Sequence, residues 1–166
     1  MTKDKICILH SELIWMNYSS DFEDAVEALF DEEAVRFTAC DDGFKAFYDY
    51  WLAELGADNF FCKLAFLNER LISIIALAGS DEGFYTIQEF VIAPDQRGKG
   101  YGTMILKELL KNSNDIIGAD IQTAEAVIFP NNSASQRAFA KAGFEFVKSH
   151  PDGDALYFRY NKNIVL

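Results

Sequence analysis

The stretch "VIAPDQRGKGYGTMIL", residues Val91 to Leu106, joins an apolar, strand-like run to a helical pattern. Between them lie Pro94, three glycines on alternate positions (Gly98, Gly100 and Gly102) and two cations, Arg97 and Lys99. A loop that runs from a strand into a helix N-terminus presents backbone N–H groups that have no intrahelical partner. The helix dipole adds partial positive charge at the same place, so the site favours an anion. Glycines remove side chains that would keep a phosphate from those amides, and they permit positive φ. The spacing therefore describes a pyrophosphate cradle, with Arg97 and Lys99 adding charge. Two familiar phosphate loops do not fit: GxxxxGK[ST] is absent, and the dinucleotide fingerprint needs GxGxxG where this chain has GxGxG. A solvated glycine-rich turn is the plain alternative for a lone motif of this kind.

Working outward, the chain reads as alternating strands and helices. "KICILH" opens as a strand. "SDFEDAVEALFDEEAVRF" carries Phe22, Val26, Leu29 and Phe30 at helical spacing, with Ser20 or Asp21 placed to cap it. "DDGFKAFYDYWLAELG" predicts a second helix ended by Gly56, and its Phe44, Tyr48 and Trp51, like Tyr18 upstream, fit a core face. "FFCKLAFL" and "RLISIIALAG" are joined by Asn68–Glu69, a tight hairpin turn. "FYTIQEFVIA" is a further strand that leads into the glycine loop. Ile105, Leu106, Leu109 and Leu110 mark the helix after the loop; "DIQTAEAVIF" is a strand and "NSASQRAFAKAG" a short helix stopped by Gly143. "FEFVKSH" and "DALYFRY", separated by Pro151–Asp152–Gly153, form a closing hairpin. The order β-α-α-β-β-β-α-β-α-β-β describes one mixed α/β domain over residues 1–166.

Composition narrows the functional classes. Half of the 166 residues are apolar and 14% are aromatic, which excludes a disordered chain. No apolar run approaches the roughly 20 residues of a membrane span, and the N-terminus does not read as a signal peptide. Cys7, Cys40 and Cys62 are far apart and odd in number, and with two histidines they offer no metal-ligand spacing. They read as reduced thiols of a cytoplasmic protein. Residues 21–58 hold 12 acidic and 2 basic residues, a balance of −10, whereas residues 95–166 hold 8 acidic and 9 basic, a balance of +1. Phosphate backbones need a basic face, so nucleic acid is excluded as a partner.

The glycine loop has a companion. Arg97-Gly98-Lys99-Gly100-Tyr101-Gly102, following Val91-Ile92-Ala93-Pro94, resembles the acetyl-CoA loop of the GNAT superfamily of N-acetyltransferases, [QR]xxGx[GA] after a V-x-P strand end. Residues Asn132 to Phe144, "NSASQRAFAKAGF", are similar to the family's N-x-x-[AS]-x-x-x-Y-x-K-x-G-F helix. The resemblance extends over roughly residues 60 to 160, and to the N-terminal part only in its strand–helix–helix outline. It implies an α+β fold: a central mixed, mostly antiparallel sheet, flanked by helices and splayed between its fourth and fifth strands. Acetyl-CoA is the implied co-substrate, with no metal. Pantetheine would lie in the splay against the backbone of Phe90, Val91 and Ile92, and the amides from Gly98 to Thr103 would take the pyrophosphate. Asn132, Ser135 and Phe139 would line the pantetheine arm and thioester.

The implied reaction moves an acetyl group from the thioester to an amine, which needs a base for the amine proton and an acid for the thiolate. The family's frequent Tyr acid falls on Phe139, which has no proton to give; solvent, Tyr101 or Tyr157 would replace it. The acidic position of the fourth strand aligns with Gln88, and Glu89 follows one step later. Strand alternation turns Glu89 to the other face unless a bulge re-aims it. Glu125 on the fifth strand is the second candidate, and Gln88 could instead orient a relaying water. The acidic segment 21–58 either attracts a cationic acceptor by its field or is a solvated helical face. Small amines and peptide amines both fit as acceptors, and the oligomeric state, a homodimer included, is left open. The competing reading is a GNAT-like module that binds acyl-CoA without catalysis.

Overall fold

The computed structural model describes residues 13–38, 44, 45, 49 and 53–162. Among the described residues seven strands form one sheet: β1 (Ile14–Asn17), β2 (Phe60–Leu67), β3 (Arg70–Gly79), β4 (Phe84–Ile92), β5 (Thr123–Ile128), β6 (Glu145–Ser149) and β7 (Leu156–Asn161). Their order is β1-β2-β3-β4-β5-β7-β6. Only β4 and β5 pair in parallel; every other neighbouring pair is antiparallel. The α-helices with both ends among the described residues are α1 (Glu23–Glu27), α2 (Glu32–Phe37), α3 (Tyr101–Lys111), α4 (Ser113–Ile117) and α5 (Ser133–Lys141). This is the mixed, mostly antiparallel sheet flanked by helices that the resemblance implies.

The β2–β3 hairpin follows from its turn: Asn68 and Glu69 take φ of 50° and 65°, the left-handed pair that matches the twist of the strands. The closing hairpin forms as expected, but β7, not β6, lies beside β5. The N-terminal strand expected at "KICILH" lies outside the described residues; Ile14–Asn17 supplies the edge strand against β2. Much of the second predicted helix, including Tyr48 and Trp51, is also outside them, though Phe44, Lys45, Asp49, Ala53 and Glu54 are helical.

The first predicted helix divides in two. Ser20–Phe22 is a 3-10 turn, and neither Ser20 nor Asp21 caps α1. The break has a local cause. Asp31 is extended (φ −75°, ψ 179°), and its Oδ1 accepts from the Ala34 amide at 2.9 Å, which starts α2 afresh.

Two apolar layers cover the sheet. On one face α3 and α5 pack Leu106, Leu109 and Phe139 on Ile75, Leu77, Tyr85, Ile87 and Phe158. On the other, α1, its connection to α2 and α2 pack Val26, Leu29 and Ala34 on Leu64, Ile74, Ala76 and Val91. Cys62 belongs to this second layer, where burial pushes its thiol up to about 12, so it is an inert core thiol.

The register of β4 places the site. Its pairing with β5 runs from Phe84↔Thr123 to Ile87↔Ala126 and stops there. On the β3 side, Leu77 opposes Ile87 while the adjacent Ala76 opposes Glu89, so Gln88 is one extra residue on β4. Before this bulge Tyr85 and Ile87 face α3; after it Val91 faces α1 and α2 while Phe90 turns to the α3 side. The bulge therefore flips the strand's sidedness and carries Glu89, opposite Ala76, to the α1–α2 face.

Candidate active site

The loop from β4 to α3 is built as a row of amides. Gly98 and Gly100 have φ of 73° and 87°, and Gly100 is the left-handed N-cap of α3. A Cβ on either glycine would meet nothing within 4 Å, so backbone conformation and not internal crowding calls for glycine. Gly102 is different: its Cβ would lie 3.7 Å from Ala138 and 3.8 Å from Phe90 and Ile92, an ordinary close packing of α3 on its neighbours. The first backbone bond of the helix is Met104 N–H to the Gly100 carbonyl at 3.1 Å. The amides of Gly98, Lys99, Gly100, Tyr101, Gly102 and Thr103 find no acceptor among the described residues. Six orphan donors at a helix N-terminus form an anion cradle.

Upstream, the unpaired edge of β4 leads into that cradle. The Ala93 amide donates to Ile72 on β3 at 2.8 Å, and the Val91 carbonyl accepts from the Ser73 hydroxyl at 2.8 Å. Alternation along the ladder then turns the N–H and C=O of Phe90 and Ile92 to the side that β5 has left. Ser73, wholly buried on β3, is a support that the sequence reading missed, since nothing local distinguishes it from any other strand serine.

Glu89 lies at this edge. It is 7% exposed, and its Oε1 accepts from the Phe90 amide at 3.2 Å. Burial pushes its carboxyl up to about 8, against the opposing pull of the Phe90 hydrogen bond. A carboxyl that titrates there is half-ionised within a pH unit of neutrality and is suited to proton transfer. Gln88, the bulge residue, is exposed. Glu125 sits opposite Thr86 on β4 and Arg159 on β7. Its Oε2 accepts from Arg159 Nη2 at 2.7 Å and Nε at 3.2 Å, so its charge is already matched. Val127 and Tyr157 follow on the same face, with Lys148 Nζ 5.1 Å from the Tyr157 ring centroid.

The second motif forms α5. Asn132 is its N-cap, with Oδ1 accepting from the Ser135 amide at 3.1 Å. Phe139 is 3% exposed and packs edge-on against Phe90 (5.9 Å between centroids) and Phe144 (4.9 Å). It ties the second motif to the β4 edge. Thr103 joins the same helix pair through a 3.5 Å hydroxyl contact to the Ala138 carbonyl. Tyr101 is half-buried beside Met104 and Ile105.

The two cations of the loop diverge. Lys99 is exposed, with Nζ 3.5 Å from Gln96 Oε1. Arg97 turns toward α1 and α2 and binds Asp31 and Glu33. Among the described residues no group of three or more His, Cys, Asp or Glu gathers to hold a metal, and no helix is long and apolar enough to cross a membrane.

Comparison with known proteins gives the same picture. Residues 21–144 match the acetyltransferase (GNAT) family. The L-2,4-diaminobutyric acid acetyltransferase of Halalkalibacterium halodurans is 31% identical over 87 residues, 51% of this chain and 44% of that protein. The match thus spans less than half of that relative. Among solved structures, an aminoglycoside acetyltransferase in complex with coenzyme A and kanamycin superposes with a TM-score of 0.71 at 20% identity, covering 90% of this chain and 95% of the other. A spermidine N-acetyltransferase, the SpeG K23-Q34 chimera from Vibrio cholerae and hSSAT, gives 0.72 at 12% identity, covering 91% and 96%. At such identities the superpositions speak for the fold alone. With the family matched over residues 21–144, most of the chain, and both motifs on the elements they require, the chain belongs to the GNAT acetyltransferase family.

Proposed function

We propose that the protein is an acetyl-CoA-dependent N-acetyltransferase acting on a primary amine of a small, cationic acceptor. The observation that carries this reading is the run of six orphan amides, Gly98 to Thr103, at the end of the unpaired β4 edge. A phosphate-bearing ligand fits the amides, and an amide-bearing arm fits the outward edge of β4 at Phe90 and Ile92, where the Phe90 N–H meets Glu89 Oε1 and the Ile92 carbonyl meets Arg97 Nε. Val91 contributes its place in the strand, and Lys99 adds charge beside the cradle. Asn132 and Ser135 hold the start of α5 next to this edge, and Phe139 backs it through Phe90. Acetyl-CoA, when bound, supplies the acetyl group as a reactive thioester.

The residues of this chain supply proton transfer and position. The Glu89 carboxylate, at the edge of the splay, takes the proton from the acceptor nitrogen, and Gln88 beside it orients water. Burial keeps most of Glu89 protonated until a cationic amine approaches; that charge favours the ionised form and prepares the base. Glu125, paired with Arg159, serves the acceptor side as a fixed charge and not as the base. No side-chain acid occupies the place of Phe139, and a thiolate departs without one. The exposed carboxylates of α1 and α2, among them Glu23, Asp24, Glu27 and Glu32, give the acceptor side a negative field. The named relatives, which act on amines or bind amine-rich ligands, agree with this class.

The test is release of CoA thiol from acetyl-CoA across a panel of diamines, amino acids, aminoglycosides and peptides. Turnover with small cationic amines is expected. Binding of acetyl-CoA with no turnover on any amine would instead establish the non-catalytic module.

A further inference from the structure

Arg97 opens the glycine motif, yet its guanidinium has no donor left for a ligand. Nε donates to the Ile92 carbonyl at 3.0 Å; Nη1 donates to Asp31 Oδ2 at 2.9 Å and to Glu33 Oε2 at 3.0 Å. Nη2 donates to Asp31 Oδ1 at 3.0 Å and to the Leu29 carbonyl at 3.4 Å. A guanidinium has five N–H donors, and here all five meet an acceptor inside the protein. The contacts bring together three places far apart in sequence: the end of β4, the α1–α2 connection, and the first turn of α2. Asp31 is the pivot, because the same carboxylate caps α2 through the Ala34 amide. Burial works against its ionisation, but the hydrogen bonds from Arg97 and Ala34 outweigh it and hold the carboxyl below its ordinary value.

We infer that Arg97 is a positioning residue that clamps the phosphate loop to the N-cap of α2, so that the acetyl-CoA site and the acceptor side are coupled through one guanidinium. The inference rests on the acetyl-CoA reading of the loop. It assigns the orienting of amides 98–103 to the clamp, and phosphate binding to those amides with Lys99. It also explains part of the charge asymmetry of the sequence: Asp31 and Glu33 lie in the acidic segment, and Arg97 in the slightly basic half.

A clamp and a direct phosphate contact predict opposite signs. Asn is as good an N-cap as Asp, so Asp31→Asn keeps α2 while removing the charge and the bidentate geometry. If Arg97 reached the phosphates, Asp31→Asn would free it and tighten acetyl-CoA binding. For the clamp, acetyl-CoA Kd by calorimetry rises about fivefold to tenfold in Asp31→Asn, as expected for losing a charge-assisted hydrogen-bond pair. Arg97→Gln and Arg97→Lys weaken binding to a similar degree, since Lys keeps the charge but not the fork. The double variant Asp31→Asn/Arg97→Gln is no worse than either single one. A purely structural role would lower Tm in all of them without moving Kd. Hydrogen exchange of the wild-type protein gives an arm independent of variant folding: acetyl-CoA should protect residues 29–34 as well as 98–103. Tighter or unchanged binding in Asp31→Asn, additive variants, or protection confined to the loop overturns the clamp. Failure of the wild-type protein to bind acetyl-CoA at all would overturn the functional reading instead.

Discussion

Replacing Glu89 by Gln keeps the shape of the side chain and removes its ionisation, which affects stability and rate in ways that can be separated. The carboxyl has an ordinary value of 4.5 and is pushed by burial up to about 8 in the fold. Between those values the folded protein holds a proton that the unfolded chain has lost, so stability falls as pH rises from 4.5 to about 8 and is level on either side. At about 1.4 kcal/mol per pH unit the full interval is worth about 5 kcal/mol, an upper bound because water entering the site would ionise the group earlier. The variant has no such slope. Urea unfolding at pH 5, 6, 7 and 8 should show Glu89→Gln gaining on the wild type with each step, by a few kcal/mol in all. In the CoA-thiol assay the same variant should lose about 100-fold in kcat/KM near neutral pH, with the limb near 8 gone and only the acceptor's own titration remaining. Acetyl-CoA affinity should hold. Parallel stability profiles for the two proteins would refute the buried, neutral carboxyl; full activity at all pH would refute the base.

Further outcomes follow from the same geometry. Acetyl-CoA should raise Tm by mass action, and Gly100→Val, which forces a β-branched residue to φ of 87°, should abolish that shift; a shift that survives disproves the cradle. Glu125→Gln should leave the pH profile intact and raise the acceptor KM, because it breaks a charge pair with Arg159; loss of the pH limb there would move the base to β5. Phe139→Tyr places a hydroxyl in a core site and should lower stability by about 1–3 kcal/mol with kcat within about twofold, whereas a tenfold gain would show that the thiolate lacks its acid. Finally, kcat/KM for cationic amines should fall as salt rises; equal turnover of neutral amines without salt dependence would make the acidic face a solvated surface only.

What the sequence determined by itself is what short-range physics controls. Hydrophobic alternation in residues 60–67 and 70–79, and the turn residues Asn68–Glu69 between them, specify a hairpin whatever surrounds it. The alternating glycines define a loop of free amides because φ > 0 at Gly98 and Gly100 is a local matter, and the periodic Ile105, Leu106, Leu109 and Leu110 define the helix behind it. Two such motifs in order were enough to make the family legible. Only the tertiary structure decided where the charges went. Glu89 faces the α1–α2 side because β3 and β4 differ by one residue in register, a property of the pair and not of either strand. Asp31 divides a helix that periodicity alone would continue, and its carboxylate meets Arg97, 66 positions later. Glu125 is committed to Arg159 because β7, not β6, takes the place beside β5. Charged side chains carry no periodicity that names a partner; long-range approach of strands and helices chooses it, and that choice separates the proposed base from the fixed ion pairs around it.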